Sequence, residues 1–245
     1  MKKHLTLITG ASRGLGLAMA QQLSEEGHRV VSLARQTSPF LPSAVEQWRC
    51  DLADTTNVAQ QLHDWLVLQD PATLASLTLI NNAGVVATPS PLRAGNAAEL
   101  SNAMRVGVEA PLLLTAAFLR ATATWWVPRK VLLISSGLGR SAMAGSVSYC
   151  AAKAGMDHLA RALALEEAAI ENGALVVSLA PGVIDTDMQV QLRAADASLF
   201  PERARFAGLK EGGLLDSPAT AAAKVIGYLK RADFGAKAVA DVRDE

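Results

Sequence analysis

The chain has 245 residues, half of them apolar, enough to bury the core of one large α/β unit, so residues 1–245 are expected to form a single domain. Lys plus Arg and Asp plus Glu each number 23, which leaves no basic field for nucleic acid or an anionic membrane and points to a small-molecule partner. Cys50 and Cys150 lack metal-ligand spacing, the apolar start at Leu5 is too short for a signal peptide, and no apolar run can span a bilayer; a cytoplasmic protein with reduced thiols and no metal site is expected.

Leu5 to Thr9 is an apolar run that ends in Gly10-Ala11-Ser12-Arg13-Gly14-Leu15-Gly16, after which Leu17, Ala18, Ala20 and Leu23 keep a helical period until Gly27. A strand, a glycine turn and a helix let a pyrophosphate approach the N–H groups at the helix start. The G-x-x-x-G-x-G spacing departs from G-x-G-x-x-G and lacks the lysine of a phosphate-cradling P-loop, so a plain turn stays open as the alternative. Val30 to Ala34 gives a second strand. A unit selecting NAD would place an acid about 20 residues beyond the glycines. Here Ala34-Arg35-Gln36-Thr37 follows, with no acid before Glu46. Arg35 suits a 2′-phosphate and Arg13 could supply a second cation, unless both are solvated surface groups.

Trp48 to Leu52 is expected as a third strand, ending at Asp51 and Leu52, and Val58 to Leu68 as an amphipathic helix. Leu77 to Ile80 makes a fourth strand that runs into Asn81-Asn82-Ala83-Gly84, whose amides can complete hydrogen bonds around a ligand. Pro89 and Pro91 mark a loop before a long helix from about Ala97 to Thr122. Val131 to Ser135 is a fifth strand that delivers Ser136, and a helix carrying Tyr149 runs to Asn172-Gly173. Leu175 to Ala180 is a sixth strand, broken by Pro181-Gly182. Strands alternating with helices imply an α/β fold, a Rossmann-type doubly wound parallel sheet with helices on both faces and a ligand crevice at the strands' carboxyl ends.

Tyr149 and Lys153 are four apart in an alanine-rich helix, so both project from one face. A free tyrosine titrates near pH 10, and donating or accepting a proton near neutrality requires a stabilised phenolate. An ammonium one turn away supplies that stabilisation; lowering the pKa by about three units takes roughly 4 kcal/mol. Taken alone, the pair is also compatible with an ordinary helix surface.

Together, Thr9 to Gly16, Asn81 to Gly84, Ser136, Tyr149-x-x-x-Lys153 and Pro181-Gly182-Val183-Ile184-Asp185-Thr186 resemble the short-chain dehydrogenase/reductase family, in the same order along residues 4 to about 188. The resemblance implies NADP(H) as cofactor, held by Gly10, Ser12, Arg13, Gly14, Leu15 and Gly16, by Arg35, by Asp51 and Leu52 around the adenine, and by Asn82, Ala83 and Gly84 along the ribose. It further implies Pro181, Gly182, Ile184 and Thr186 at the nicotinamide end, with Ser136, Tyr149 and Lys153 as the catalytic set. Tyr149 would be the general acid, Ser136 would hold the carbonyl oxygen, and Lys153 would bind the nicotinamide ribose. The family's serine lies thirteen residues before its tyrosine, which selects Ser136 over Ser135. Its asparagine in the long middle helix is replaced by Gly107, which can leave a backbone carbonyl to hold a relay water.

Beyond Pro181, in a substrate-loop region about 187–215 and in the tail Phe234 to Asp241, the resemblance narrows to the sepiapterin and benzil reductase branch. A small ketone or vicinal dicarbonyl is then the expected substrate. By the same likeness Asp241 would anchor a pterin, unless it is merely a solvated terminal acid. A generic 3-oxoacyl or alcohol/ketone oxidoreductase of the same family, and a non-catalytic NADPH-binding sensor, remain the alternatives. The family pairs its middle and tyrosine helices across subunits, so a homodimer or homotetramer is expected, with Ala162, Leu163 and Ala169 as candidate contacts.

Overall fold

Strands sandwiched between two helical layers should be apolar on both faces, and these are. β1 (Lys3–Thr9), β2 (Arg29–Ala34), β4 (Leu74–Asn81), β5 (Arg129–Ile134) and β6 (Leu175–Ala180) are buried over nearly all of their final five residues. The computed structural model of the protein describes residues 2–244. Adding β3 (Glu46–Arg49) and β7 (Val239–Asp241) gives a seven-stranded sheet in the order β3-β2-β1-β4-β5-β6-β7, parallel at every pairing. The order reverses direction between β1 and β4, the point at which α/β sheets open a crevice.

Side-chain alternation divides the core into two layers. Leu5 and Leu7 of β1 and Val131 and Leu133 of β5 pack under α2 (Thr55–Val67), α4 (Ala110–Ala121) and α5 (Val147–Ala168). Ile8, Leu132 and Ile134 face the other way, under α1 (Gly14–Glu25) and α8 (Pro218–Leu229). Across the carboxyl end of the sheet, α6 (Asp187–Ala194) and α7 (Arg203–Glu211) form a flap over a smaller apolar cluster of Met143, Leu192, Phe200 and Phe206. No helix among the described residues is long and apolar enough to cross a membrane.

Several boundaries differ from expectation, each for a local reason. β3 is earlier than Trp48 to Leu52, because Asp51 turns the chain: its Oδ1 accepts the Ala53 N–H at 3.0 Å and its carbonyl the Asp54 N–H at 2.9 Å. α2 starts at Thr55, where the hydroxyl donates to Glu109 Oε1 at 2.9 Å. α5 stops at Ala168, short of Asn172, which takes a positive φ of 76° and whose side chain donates to the Trp125 carbonyl. The tail adds a last short strand, Val239–Asp241.

The expected helix from Ala97 to Thr122 is three segments. α3 (Ala97–Met104) passes into a wide π turn, Arg105–Glu109, before α4 begins. Pro111 has no N–H to return to Gly107, so the regular ladder cannot continue there. The Ala110 N–H reaches instead to the Arg105 carbonyl, five residues back. Gly107 lies inside this turn against α5, where a Cβ would sit 2.8 Å from the Cβ of Ala152. Glycine here is therefore a packing requirement. Gly107→Ala should cost about 1–3 kcal/mol of stability through overpacking. Adding Ala152→Gly should recover part of it despite the roughly 1 kcal/mol helix penalty of glycine. Denaturant midpoints of the four proteins in the cycle measure this, and additive losses would show that the two residues do not collide.

Candidate active site

The glycine turn is shaped by what surrounds it. Gly10 has φ +70° and a Cβ there would lie 2.9 Å from Ala83 Cα, while a Cβ on Gly16 would lie 2.4 Å from the Gly10 carbonyl oxygen and 2.5 Å from Asn82 Nδ2. Thr9 Oγ1 accepts the N–H groups of Asn82 and Ala83 at 2.9 and 3.0 Å, and Asn82 Nδ2 donates to the Thr9 carbonyl at 2.9 Å. Asn82 thus braces the loop as well as lining the crevice. No side chain caps α1 at Arg13, so the helix presents first-turn N–H donors. Those donors and a turn too tight for any Cβ at Gly16 suit a dinucleotide's pyrophosphate.

One crevice of about 340 Å³ gathers Leu15, Asn82, Gly84, Ser136, Tyr149, Lys153, Pro181, Gly182, Ile184 and Thr186. These are ten of the expected site residues, contributed by the first turn of α1, by the segments that follow β4, β5 and β6, and by α5. Gly10, Ser12, Gly14, Gly16 and Ala83 lie just behind that lining, in the turn and at the end of β4. Arg35 and Asp51 stand exposed after β2 and β3, and Leu52 is buried in the core beside them. Arg13 is exposed as well, with Nη1 donating to Asp187 Oδ2 at 2.9 Å. Among the described residues no group of three His, Cys, Asp or Glu side chains could hold a metal ion.

The reactive set comes from two neighbouring elements. β5 is followed by Ser135 and Ser136; Ser135 is buried, whereas Ser136 lines the crevice and its Oγ accepts the Leu138 N–H at 3.2 Å. The first turn of α5 supplies Tyr149, half-buried, and the second supplies Lys153, 4% exposed. Lys153 Nζ donates to the Ile134 carbonyl at 2.7 Å and stands 5.6 Å from the centre of the Tyr149 ring. Burial raises the Tyr149 phenol above its usual value, and Ser136 beside it pulls it back. Burial also lowers the Lys153 ammonium, to about 8, against the upward pull of Asp157 one turn further on. A phenol kept protonated and an ammonium kept charged at neutral pH form a proton donor with its counter-charge.

Asp241 is neither a solvated terminal acid nor part of the crevice lining. It is 6% exposed at the end of β7, and its carboxylate is taken by Arg243: Oδ1 accepts Nε at 2.7 Å and the Arg243 N–H at 3.0 Å, and Oδ2 accepts Nη2 at 2.6 Å. Arg243 lines the crevice in its place, as does Arg205 of α7. Sequence reasoning passed over both arginines; the Asp-x-Arg spacing at the end of a short strand was the one signal for Arg243.

Comparison with known proteins agrees with this geometry. Residues 4–197 match the short chain dehydrogenase family. A benzil reductase ((S)-benzoin forming) of Bacillus cereus is 34% identical over 93% of this chain and 94% of its own, and a sepiapterin reductase of Rattus norvegicus is 33% identical over 97% and 95%. Among solved structures, a short-chain dehydrogenase/reductase from Burkholderia vietnamiensis is 32% identical and superposes with a TM-score of 0.66 over 99% of this chain and 98% of that one. The chain belongs to the short-chain dehydrogenase/reductase family, nicotinamide-dependent oxidoreductases that act on carbonyl and hydroxyl groups.

Proposed function

We propose that the protein is an NADPH-dependent carbonyl reductase acting on a small ketone or vicinal dicarbonyl, with Tyr149 as general acid. The single observation that carries this is the Tyr149–Lys153 pair on one face of α5, beside Ser136 in a crevice large enough for a small substrate. Likeness to a benzil and a sepiapterin reductase over nearly the whole chain supports a dicarbonyl substrate. Bound NADPH would supply the hydride. The Ser136 hydroxyl holds the carbonyl oxygen, and the Tyr149 O–H passes its proton to that oxygen as negative charge develops there. The Lys153 ammonium then stabilises the phenolate left behind, and burial strengthens that attraction by excluding water.

Turnover follows from these charges with a definite sign. Lys153 is lowered to about 8, so its ammonium predominates below that pH and is lost above it. Ketone reduction should therefore hold through neutrality and decline on the alkaline side. Tyr149→Phe should lower kcat by at least about 10²-fold with little change in NADPH binding, the scale of a lost general acid. Retained turnover in that variant would refute the assignment, whereas a wild type that binds NADPH and reduces no ketone would instead be a sensor.

Selection of NADPH over NADH is assigned to Arg35, exposed at the end of β2 where no acid competes, with Arg13 as a second cation. Arg35→Asp should weaken NADPH by roughly 2–4 kcal/mol, from a lost charged hydrogen bond and a new repulsion, and should favour NADH. Dissociation constants for the two cofactors measure this; an unchanged preference would remove Arg35 from the site.

A homodimer or homotetramer is proposed through α4 and α5, where Leu112 and Leu165 are exposed at 45% and 77%. Ala162 on α5 and Ala169 just past its end are exposed, but Leu163 packs into the chain's own core and is withdrawn as a contact. Sedimentation equilibrium should show an assembly that Leu165→Glu weakens.

A further inference from the structure

We propose that the crevice holds a subsite for an anionic group, formed by Arg243 of the tail and Arg205 of α7, so that the favoured ketone carries a carboxylate at the far end of an apolar body. The proposal rests on the carbonyl-reductase function above and names the substrate class it takes.

The charge pattern of the crevice is one-sided. Its apolar wall is made by Met143, Met188, Leu192, Phe206 and Leu209. The charged side chains among the described residues that line it are Lys153, Arg205 and Arg243, with no aspartate or glutamate. Lys153 is buried and committed to the Ile134 carbonyl and to Tyr149. The two arginines remain 68% and 64% exposed and come from separate elements, so no single local feature of the chain explains their meeting at one cavity. A neutral aromatic diketone has no acceptor charge that would use them.

Arg243 is also held in a way that a surface arginine near a chain end is not. One edge of its guanidinium, Nε and Nη2, is clamped by both oxygens of buried Asp241, and its own N–H closes onto Oδ1. Asp241 is fixed in turn by the pairing of β7 with β6 and by Arg140, whose Nη2 lies 4.0 Å from Oδ2. Guanidinium has five N–H donors in a rigid fork, so clamping one edge leaves the other set to receive a planar anion. Nη1 makes no hydrogen bond among the described residues. Arg205 is steadied by Glu202 at 3.3 Å, and neither Glu202 nor Asp241 reaches the crevice lining. The tail therefore inverts the polarity expected of it. A substrate meets a guanidinium at this wall, with the carboxylate behind it, which suits a carboxylate ligand and disfavours a guanidine-like one.

The probes are 4-carboxybenzil, a dicarbonyl with one ring carboxylate, and its neutral methyl ester, titrated calorimetrically into the wild-type enzyme with NADP+ bound. The acid should bind at least tenfold more tightly than the ester, and the ratio should shrink as salt rises. In Arg243→Gln the ratio should fall to within about twofold of one, with a smaller fall in Arg205→Gln. Asp241→Asn should lower it too, by releasing the clamp, while Arg243→Lys should keep part of it. A wild-type ratio at or below one, which needs no variant to fold, would overturn the subsite, as would a ratio that survives both glutamine substitutions. Parity in binding with brisk NADPH oxidation would reject the anion subsite alone. Tight, selective binding of the acid with no oxidation of NADPH by either probe would support the subsite and reject the reductase.

Discussion

The contact on which the crevice end of the molecule depends is the one between Thr9 and the Asn82–Ala83 backbone, where strand order reverses. β1 and β4 are neighbours, but their outgoing connections leave toward opposite faces, and the gap between them is the crevice. Thr9 is 2% exposed, and its hydroxyl oxygen accepts the N–H groups of both Asn82 and Ala83. The same bonds set how closely the two strand ends approach. At that separation Gly10 and Gly16 have no room for a side chain, and the α1 N–H groups are brought to the mouth. The glycine turn and the Asn82 segment are thus one piece of structure, and neither can be read as a binding element without the other.

The proton-handling side is organised by a second constraint, the cost of burying an ammonium. Lys153 is desolvated, and its charge is sustained by Asp157, 1% exposed one turn along α5. Asp157 accepts the Ser178 hydroxyl of β6 at 2.7 Å and stands 3.7 Å from Arg140 Nε, and Arg140 also approaches Asp241. Charges therefore run from α5, through the loop after Ser136, to the last strand. A carboxylate buried this deeply is tolerable only with such partners. Its consequence is that the tail's geometry and the electrostatics of Lys153 share a residue, Arg140.

Sheet, helices and crevice were legible in the sequence because they rest on local patterns: the apolar runs at Leu5, Val30, Leu77, Val131 and Leu175, and glycine or proline soon after the first, fourth, fifth and sixth of the strands. Tyr149 and Lys153 were legible as one helical face, and Ser136 entered through the family resemblance; the structure places all three in one crevice. What was not legible depends on contacts between distant residues. Pro111 marks where the helical ladder fails, but the need for glycine inside the resulting π turn depends on Gly107 packing against Ala152, forty-five positions later. Asp241 is a terminal acid by position, and nothing within the tail's composition says that β6 buries it. Arg205 reaches the crevice only because α7 folds back over it, a choice made by Phe206 stacking on Phe200 at a centroid distance of 5.8 Å.

That flap is attached to the body by apolar packing and by exposed ion pairs, which differ in strength. Arg13 pairs with Asp187 at the start of α6, but both side chains are 72% exposed, and exposed ion pairs contribute about 0–1 kcal/mol. Lys210 and Arg193 pair with Asp185 within the flap region itself, which stiffens it without fastening it to the sheet. The firmer attachment is apolar: Phe200 is fully buried, and Gly145, at φ +75°, lets it approach so closely that a Cβ there would lie 2.8 Å from its ring. Beyond this buried cluster, the tie between the start of α6 and the glycine turn is one solvent-exposed ion pair, which costs little to break. A dianionic phosphate near Arg13 attracts it more strongly than one exposed carboxylate does. The Arg13–Asp187 pair is accordingly compatible with Arg13 serving a 2′-phosphate, and breaking it would leave Asp187 and the start of α6 free to move as the cofactor enters.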